Sequence, residues 1–402
     1  MGGETIHRPW KVQLYKISRV KRLVFLVREA FFLLNITNMI ILVMFGLTGD
    51  LVVNAFFTSW LASGWLLGGV AATLLLFLSI QPLTKPKNHS ATSILHVSYD
   101  STREVIQEIN KEFAKKWKQD FGLDILVGQS NGGSGSQARS LLDGLPGDVT
   151  SLAIYPDMAA VGAKGLLPKN WQERPGVKTP PWSTLIVFLV RSGNPKSIRN
   201  WRDLTRDGVS VVLPSPKISG NGKLAFLGGW GDAYLKNRST EEANAYIQRL
   251  YRNVPVMDAS ARATAATFFQ KGIGDVMVAW ENEAMMAIQE SMNQLELVYP
   301  SRTFKASPPI CLVETVADKH GTKEIAEEYI SYFYSPQAQR ILARFGFRPV
   351  HEEIFQECAG KFPQVKQFSL NDLGLDWGRA QELFFREGAL FDQVFLEISK
   401  RK

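Results

Sequence analysis

The sequence from Ile94 to Ser136 reads ILHVSYDSTREVIQEINKEFAKKWKQDFGLDILVGQSNGGSGS. It contains two units in which an apolar strand leads into a turn of small polar residues and then a helix. The first turn follows Tyr99, and the second is the run 130–136. A helix that starts at the carboxyl end of a strand points free N–H groups and its positive dipole end into the crevice there. We therefore expect an α/β fold with an anion site at this edge of a sheet.

The same alternation of strand and helix continues along the chain. A helix is predicted over 103–118, and the apolar run TLIVFLV at 184–190 predicts a buried strand. Further strands are predicted at 210–213, 254–257 and 275–280, each followed by small polar or acidic residues. Residues 323–346 predict two helices, the second starting at Ser335-Pro336, and 371–398 predict terminal helices. This pattern is typical of a parallel or mixed sheet that binds its ligand at the strand ends.

The turns themselves limit the kind of anion. The 130–136 loop lacks the Gly-Lys-Ser/Thr ending of a nucleotide-binding loop, which argues against ATP and favours a small tetrahedral oxyanion. Four helix starts are expected to converge, at 100–104, 130–136, 217–222 and 259–262. Their N–H groups and dipole ends can balance a dianion without Lys or Arg.

Charge is concentrated at the N-terminus. The chain of 402 residues has a formal net charge of +8, and residues 1–90 hold nine basic and three acidic side chains, which account for six of those charges. The remainder is nearly neutral, so its charge gives no argument for a nucleic-acid partner. Cys311 and Cys358 are the two cysteines, without the spacing of a metal site, so we predict no metal and leave a disulfide open.

Residues 1–91 are predicted to be a basic N-terminus with two hydrophobic segments, 31–47 and 60–80, and a linker. The 21 residues of 60–80 are long enough to span a bilayer, whereas 31–47 is shorter and is expected to lie at the interface or form a hairpin. No lipobox cysteine or convincing cleavage site follows, which favours an uncleaved anchor over a removed signal peptide. Seven basic residues in 1–28 place the N-terminus in the cytoplasm, so one span puts the rest outside.

The globular part contains seven long motifs: VSYDSTRE (97–104), QSNGGSGSQA (129–138), LPKNW (167–171), STLIVFLVRSGNPKSIRNWRDL (183–204), GVSVVLPSPKISGNGK (208–223), IGDVMVAWENEA (273–284) and EEYISYFYSPQAQ (327–339). With them the chain resembles the sulfate- and thiosulfate-binding proteins of bacterial ABC importers. The resemblance covers roughly residues 93 to 395, nearly all of the globular part, and leaves the first 90 residues outside it.

The resemblance implies the α/β fold of a two-lobed type II periplasmic binding protein, with two crossovers between lobes and the anion in the cleft. Lobe I is expected to comprise 92–178 and, with C-terminal helices, 283–402, and lobe II 179–282. The implied function is a monomeric solute-binding protein, not an enzyme and without a cofactor. It would capture sulfate or thiosulfate in the periplasm, anchored by 60–80 or released, and deliver it to the permease subunits of the importer.

The resemblance also implies a site made of uncharged donors. Backbone N–H groups would serve from five positions, Ser219 would add its hydroxyl and Trp280 its indole N–H; the set is Asp100, Ser134, Ser219, Gly220, Asn221, Ala261 and Trp280. Sulfate is fully ionised at neutral pH and needs donors only, whereas phosphate would need an acceptor for its own proton. Asp100 is the one carboxylate in these turns that could be suspected as that acceptor, and the resemblance turns it away as a cap.

One departure concerns the motif at 219–221, which is Ser-Gly-Gly in the family and Ser-Gly-Asn here. The backbone N–H survives, and Asn tolerates a positive φ if the position requires one. Its side chain would either crowd the cleft or add an amide donor, which bears on ligand preference. Ile218, where the family usually has a small hydroxyl residue, is a lesser departure.

Less specific interpretations stay open for each residue. Ser134 and Ser219 could be plain helix N-caps, and Trp280 could be a core residue. Arg103 and Arg262 could supply charge behind the site or form surface salt bridges. The run Glu281-Asn282-Glu283 is interpreted as a hinge and helix start, because no catalytic set accompanies it. The alternative function is a membrane-anchored oxyanion sensor or assembly partner that retains the fold.

Overall fold

The computed structural model describes residues 92–292 and 294–400. The hydrophobic segments predicted at 31–47 and 60–80, and the linker after them, lie outside the described residues. Within the part that is described, every helix is too short or too polar to cross a membrane.

The strands form two sheets. The smaller sheet has four strands, which lie side by side in the order β10-β3-β1-β2. The larger sheet has eight strands: six lie side by side in the order β12-β9-β4-β7-β5-β6, and β8 and β11 also pair with β4. The strands are β1 (Thr92–Tyr99), β2 (Ile125–Gly132), β3 (Val149–Ser151), β4 (Trp182–Arg191), β5 (Val211–Pro214), β6 (Met257–Asp258), β7 (Val276–Trp280), β8 (Leu295–Val298), β9 (Arg302–Ala306), β10 (Ile310–Leu312), β11 (Arg348–Pro349) and β12 (Lys366–Phe368). We call each sheet with its helices the small lobe and the large lobe.

The helices surround these sheets. They are α1 (Arg103–Phe121), α2 (Ser134–Leu142), α3 (Tyr155–Ala163), α4 (Pro175–Lys178), α5 (Gly220–Asn237), α6 (Thr240–Arg252), α7 (Ala261–Phe269), α8 (Glu281–Glu290), α9 (Glu314–His320), α10 (Lys323–Tyr332), α11 (Pro336–Arg344), α12 (Glu352–Glu357), α13 (Trp377–Ala380) and α14 (Leu390–Ser399). Short 3-10 turns at Asp100–Thr102, Trp171–Glu173, Trp201–Thr205 and Asn371–Leu373, and a π-helical turn at Gln381–Phe385, complete the described elements.

The small lobe is built on the unit that opens the sequence. Strands β1 and β2 pair in parallel from Thr92 opposite Ile125 to Tyr99 opposite Gly132, so both strands end at the same edge. Helix α1 joins them and buries Ile106, Ile109, Phe113 and Trp117, as the periodicity predicts. It ends at Gly122, whose φ of +70° is the left-handed conformation that glycine adopts at helix ends.

The large lobe is built on β4, whose first nine residues are buried, as expected for a strand covered on both faces. Strand β5 pairs in parallel with both β6 and β7, so Pro214, Asp258 and Trp280 all end strands at one edge. The strand predicted at 254–257 is shorter and later than expected, as β6. The predicted break at Ser335 is confirmed, because its hydroxyl accepts from the Ala338 N–H at 3.2 Å and caps α11.

The C-terminal third differs from the predicted division. That division placed 283–402 in lobe I, whereas β8 and β9 hydrogen-bond to β4, and β12 hydrogen-bonds to β9, all in the larger sheet. Helix α14 packs on α6 of the large lobe. The chain therefore passes between the sheets three times, before β4, before β10 and before β11, and not twice as predicted.

Cys311 and Cys358 are both free thiols.

Candidate anion-binding site

The carboxyl ends of the strands from both lobes meet at a small cavity. All seven residues predicted from the sequence line it: Asp100, Ser134, Ser219, Gly220, Asn221, Ala261 and Trp280. Tyr99, Ser101, Gly133, Ala153 and Ser260 complete the lining. The four predicted helix starts therefore do converge, and the lining contains neither Lys nor Arg.

Two of these helix starts come from the large lobe. Helix α5 begins after Ser219, whose Oγ accepts from the Gly222 N–H at 3.3 Å. Helix α7 begins after Ser260, whose Oγ accepts from the Ala263 N–H at 3.3 Å. The first N–H groups of a helix have no partner inside it, so those of Gly220, Asn221 and Ala261 are available to a ligand. The Ser219 hydroxyl uses a lone pair in its cap and keeps its proton for donation.

Ser134 begins α2 in the small lobe, and its hydroxyl is already engaged. It donates to Asp157 Oδ2 at 2.5 Å and accepts from the Ala153 N–H at 3.0 Å. Its backbone N–H, the first of the helix, is the group that a ligand could use, as the resemblance implies. Burial raises the pKa of Asp157, while the Ser134 hydroxyl, Lys223 and Arg139 act in the opposite direction.

Trp280 is fully buried, and its Nε1 is a buried donor without a hydrogen-bond partner in the protein. Its ring lies edge-on to Tyr99, with the centroids 5.1 Å apart. Tyr99 in turn accepts a hydrogen bond from Trp182 Nε1 at 3.2 Å, which holds the phenol in place. A buried N–H group without a partner is costly, so an orphaned donor at a cavity is a marker of a binding site.

Gly220 keeps the two lobes close at the cavity. A Cβ at Gly220 would lie 2.9 Å from Ala153 Cβ, and one at Gly222 would lie 2.4 Å from the Pro214 carbonyl oxygen. These two glycines are therefore needed for close approach of backbone. Asn221 lies between them in the first turn of α5 and is not among the residues with positive φ, so its position needs no left-handed conformation.

The side chain of Asn221 points away from the expected role of an extra donor. Its Nδ2 donates to Glu283 Oε2 at 3.0 Å, and its Oδ1 is buried without a partner. Glu283 also accepts from Ser101 Oγ at 2.6 Å. The neighbouring Asn282 donates to the Ser101 carbonyl oxygen at 3.3 Å, so the start of α8 is tied to the 3-10 turn at Asp100–Thr102.

Two carboxyl groups flank the cavity. Burial raises the pKa of Asp100, against the Ser260 hydroxyl, Arg262 and the N–H groups of its own turn, all of which lower it. Burial, followed by the charge of Asp100, raises the pKa of Glu283 to about 7, against the Ser101 hydroxyl. Neither the 3-10 turn at Asp100–Thr102 nor the start of α1 has a side-chain capping hydrogen bond, so the cap implied for Asp100 stays a prediction.

Arg262 forms a salt bridge between the lobes. Its Nη2 lies 2.7 Å from Oε1 of Glu104 in α1, and both side chains are partly exposed. Arg103 is exposed on α1. Neither arginine lines the cavity. Of the two interpretations left open for Arg262, a charge behind the site or a surface salt bridge, the contact seen is the surface salt bridge.

Sequence reasoning missed three partners of the site: Ser260, Asp157 and Glu283. The serine that precedes α7 is a recognisable N-cap signal, and its hydroxyl could have been predicted. Asp157 and Glu283 lie on helices whose orientation depends on long-range packing, so only the structure brings them to Ser134 and Asn221. Glu281, in the same run, forms a buried bidentate salt bridge with Arg348 at 2.7 and 2.8 Å.

A second, larger groove of about 600 Å³ lies beside this cavity and shares Ala153 and no other lining residue with it. It is lined largely by apolar side chains, with Lys178 and Lys305 among the exceptions. None of the seven predicted residues lines it. We place the candidate site in the smaller cavity, because that cavity is lined by the orphaned Trp280 Nε1 and by the four helix starts.

Comparison with known proteins agrees with this geometry. The family model described as bacterial extracellular solute-binding protein matches residues 94–348. The chain belongs to this family. It is 42% identical over 303 residues to a sulfate-binding protein of Escherichia coli, covering 75% of this chain and 92% of the relative. It is 39% identical over 342 residues to a thiosulfate-binding protein of Pseudomonas aeruginosa, covering 85% of this chain and 98% of the relative.

A solved structure of the family has the same fold. The sulfate-binding protein from Mycobacterium tuberculosis superposes with a TM-score of 0.66 at 31% identity, covering 73% of this chain and 99% of that chain. The predicted resemblance to sulfate- and thiosulfate-binding proteins is confirmed. The α/β fold of a solute-binding protein is confirmed with it.

Proposed function

We propose that this solute-binding protein captures sulfate or thiosulfate in the cavity between its lobes and delivers the anion to an ABC importer. The observation that carries the proposal is the buried Trp280 Nε1 without a partner, in a cavity lined by four helix starts and by no Lys or Arg. The names of the relatives, sulfate- and thiosulfate-binding proteins, support the same class of ligand.

In this proposal the anion is held by donors alone. Backbone N–H groups would come from Asp100, Ser134, Gly220, Asn221 and Ala261, with the Ser219 hydroxyl and Trp280 Nε1 completing the set. Hydrogen bonds to a charged partner contribute about 1.5–3 kcal/mol each before the cost of ordering. A few of them suffice for micromolar affinity, which corresponds to roughly −8 kcal/mol.

Donors from both lobes also explain how binding would be signalled to an importer. Asp100 and Ser134 belong to the small lobe, whereas Ser219 and Trp280 belong to the large lobe. An anion that contacts both lobes favours their closed arrangement over an open one, because only the closed arrangement offers all donors at once. The permease would then recognise the closed form.

Titration calorimetry tests the ligand. We expect the full-length chain in detergent to bind sulfate or thiosulfate with a Kd near 1 µM or tighter, about −8 kcal/mol. Sulfate should bind more tightly than hydrogen phosphate at neutral pH, because the proposed contacts are all donors, whereas hydrogen phosphate carries a proton that needs an acceptor. Absence of binding for both sulfur anions, or a clear preference for phosphate there, would refute the proposal.

We also propose that the domain from residue 92 onward works outside the cytoplasmic membrane, anchored through segment 60–80. The support is the sequence: seven basic residues in 1–28, an apolar stretch of 21 residues and no convincing cleavage site after it. Protease added to intact spheroplasts should digest the domain while the membrane stays sealed. Protection of the domain until lysis would place it in the cytoplasm. Release of a soluble domain without protease would show that segment 60–80 is a cleaved signal peptide and not an anchor.

A further inference from the structure

The Asn221 side chain connects the cavity to a carboxyl group behind it. Asn221 lines the cavity, Glu283 does not, and the amide nitrogen of Asn221 donates to Glu283 Oε2 at 3.0 Å. The other end of the amide, Oδ1, is an acceptor with no hydrogen-bond partner, in a residue that is 5% exposed. An unpaired acceptor beside a site built from donors is unfavourable for an anion that carries no proton.

An amide can reverse this arrangement by turning over. If Glu283 holds a proton, its hydroxyl can donate to Asn221 Oδ1, and Nδ2 is then free to face the cavity. If Glu283 is ionised, it accepts only, so the nitrogen must stay on its side and the oxygen on the other. The orientation of the amide is therefore set by the protonation of one carboxyl group.

The surroundings of Glu283 favour a proton near neutral pH. Burial and the nearby Asp100 raise the pKa of Glu283 to about 7, while the Ser101 hydroxyl, a backbone hydrogen bond to Trp280 and Arg262 lower it. Two further titratable groups face this cluster: Glu104, which pairs with Arg262, and Tyr99, which is buried beside Trp280. Burial raises the pKa of Tyr99 well above its usual value, so the phenol stays neutral between pH 6 and 8.5.

We propose that the Asn221–Glu283 pair is a proton-linked selector for the anion: protonated Glu283 turns the amide nitrogen into the cavity as an additional donor, and ionised Glu283 turns the oxygen there. This inference rests on the proposed function, because it concerns the same cavity. It makes sulfate binding take up a proton, and it gives the cavity an acceptor for protonated oxyanions when Glu283 is ionised. The residue responsible, Asn221, is the one at which the motif of this chain departs from Ser-Gly-Gly.

Calorimetry of the full-length chain with sulfate at pH 6.0, 7.0 and 8.5 tests the selector, because sulfate itself does not change charge over this range. We expect affinity to fall about thirtyfold between pH 6.0 and 8.5, the loss expected when one group of pKa near 7 must be protonated. Runs in two buffers of different ionisation enthalpy should show uptake of close to one proton per sulfate at pH 8.5. They should show almost none at pH 6.0.

Two variants separate the amide from the charge. Glu283→Gln keeps the size and the contact with Ser101 and can donate permanently to Asn221 Oδ1, so sulfate affinity should be high and independent of pH. Asn221→Gly removes the amide. The change in sulfate affinity between pH 6.0 and 8.5 should then shrink to less than about threefold, which is the remaining effect of the screened Glu283 charge. Glu314→Gln, which removes a carboxylate of the small lobe far from the cavity, should keep the wild-type pH profile.

The outcomes are distinct from those of the ligand test. A wild-type chain that binds sulfate with equal affinity at all three pH values would overturn the selector and leave the proposed function intact. Full pH dependence retained in Asn221→Gly would show that Glu283 acts by charge alone and would also overturn it. Absence of sulfate binding at every pH would instead refute the proposed function.

Discussion

Replacement of Trp280 by Phe is the sharpest test of the site. The substitution removes a single N–H group, Nε1, which is buried without a partner at the cavity. Phe keeps an aromatic ring that can pack edge-on against Tyr99 as Trp280 does. The lost group would be a donor to a charged ligand, a type of hydrogen bond that contributes about 1.5–3 kcal/mol. We therefore expect sulfate affinity to fall roughly tenfold to 150-fold.

Trp280→Phe should lower the free energy of unfolding of the ligand-free protein less than replacement of a core Trp whose N–H is hydrogen-bonded. Nε1 has no hydrogen-bond partner within the protein, so its removal breaks no hydrogen bond of the fold and leaves only the loss of ring volume. Trp201 provides a matched control, because it is equally buried in the large lobe and its Nε1 donates to the Arg302 carbonyl oxygen at 3.1 Å. Trp201→Phe should cost about 1 kcal/mol more stability than Trp280→Phe, the value of a hydrogen bond, and leave affinity unchanged.

Calorimetric titration and urea unfolding of both variants and the wild type give the two quantities. The reasoning requires affinity to change in one variant and stability to change more in the other. If Trp280→Phe binds sulfate within twofold of wild type, or if both variants lose affinity equally, the indole N–H does not contact the anion. Trp280 would then be a core residue, which is the alternative left open by the sequence.

Three further predictions concern the lobes and the core. Gly220→Ala places a Cβ 2.9 Å from Ala153 Cβ; overpacking of this kind costs about 1–3 kcal/mol, so sulfate affinity should fall at least fivefold in titration, and Ala153→Gly in the same chain should restore it. Arg262→Gln breaks a half-exposed salt bridge with Glu104 that is worth at most about 1 kcal/mol; a loss of sulfate affinity above tenfold would mean that the guanidinium, and not uncharged donors, balances the anion. His96 is buried between Tyr329 Oη and Ser151 Oγ, and burial lowers its pKa from 6.5 to about 3. Between those pH values the unfolded chain binds a proton that the folded chain does not. The free energy of unfolding should therefore fall by about 1.4 kcal/mol per pH unit below pH 6.5. Urea unfolding at pH 7, 6 and 5 should show a much flatter dependence on pH for His96→Gln than for the wild type.

The parts of the fold that follow local rules could be predicted from the sequence. Helix α1 was recognisable from its spacing of Ile106, Ile109 and Phe113, and α11 from the cap at Ser335. Strand β4 was recognisable as an uninterrupted apolar run. Each of these signals lies within a few residues of the element that it specifies, so no knowledge of the rest of the molecule was needed.

The assignment of strands to sheets could not be predicted in the same way. Strands β8, β10 and β12 have three or four residues each, and their place is decided by partners in β4, β3 and β9. Segments this short carry no clear periodicity, and hydrogen bonding to a distant strand overrides local preference. This is why sequence reasoning placed the whole C-terminal third in one lobe, whereas β10 pairs in the smaller sheet and β8, β9, β11 and β12 pair in the larger one.

The candidate site shows the same division between backbone and side chains. Its donors are mostly N–H groups at helix starts, which depend on local turns, and all of the predicted ones line one cavity. What local rules could not give is the direction of the Asn221 amide, because that depends on Glu283, 62 residues further along the chain. A site made of backbone donors has almost no side chain through which it can be tuned. The single amide in it is therefore the place where one substitution can change what the cavity accepts, and the carboxyl group behind that amide decides which end faces the ligand.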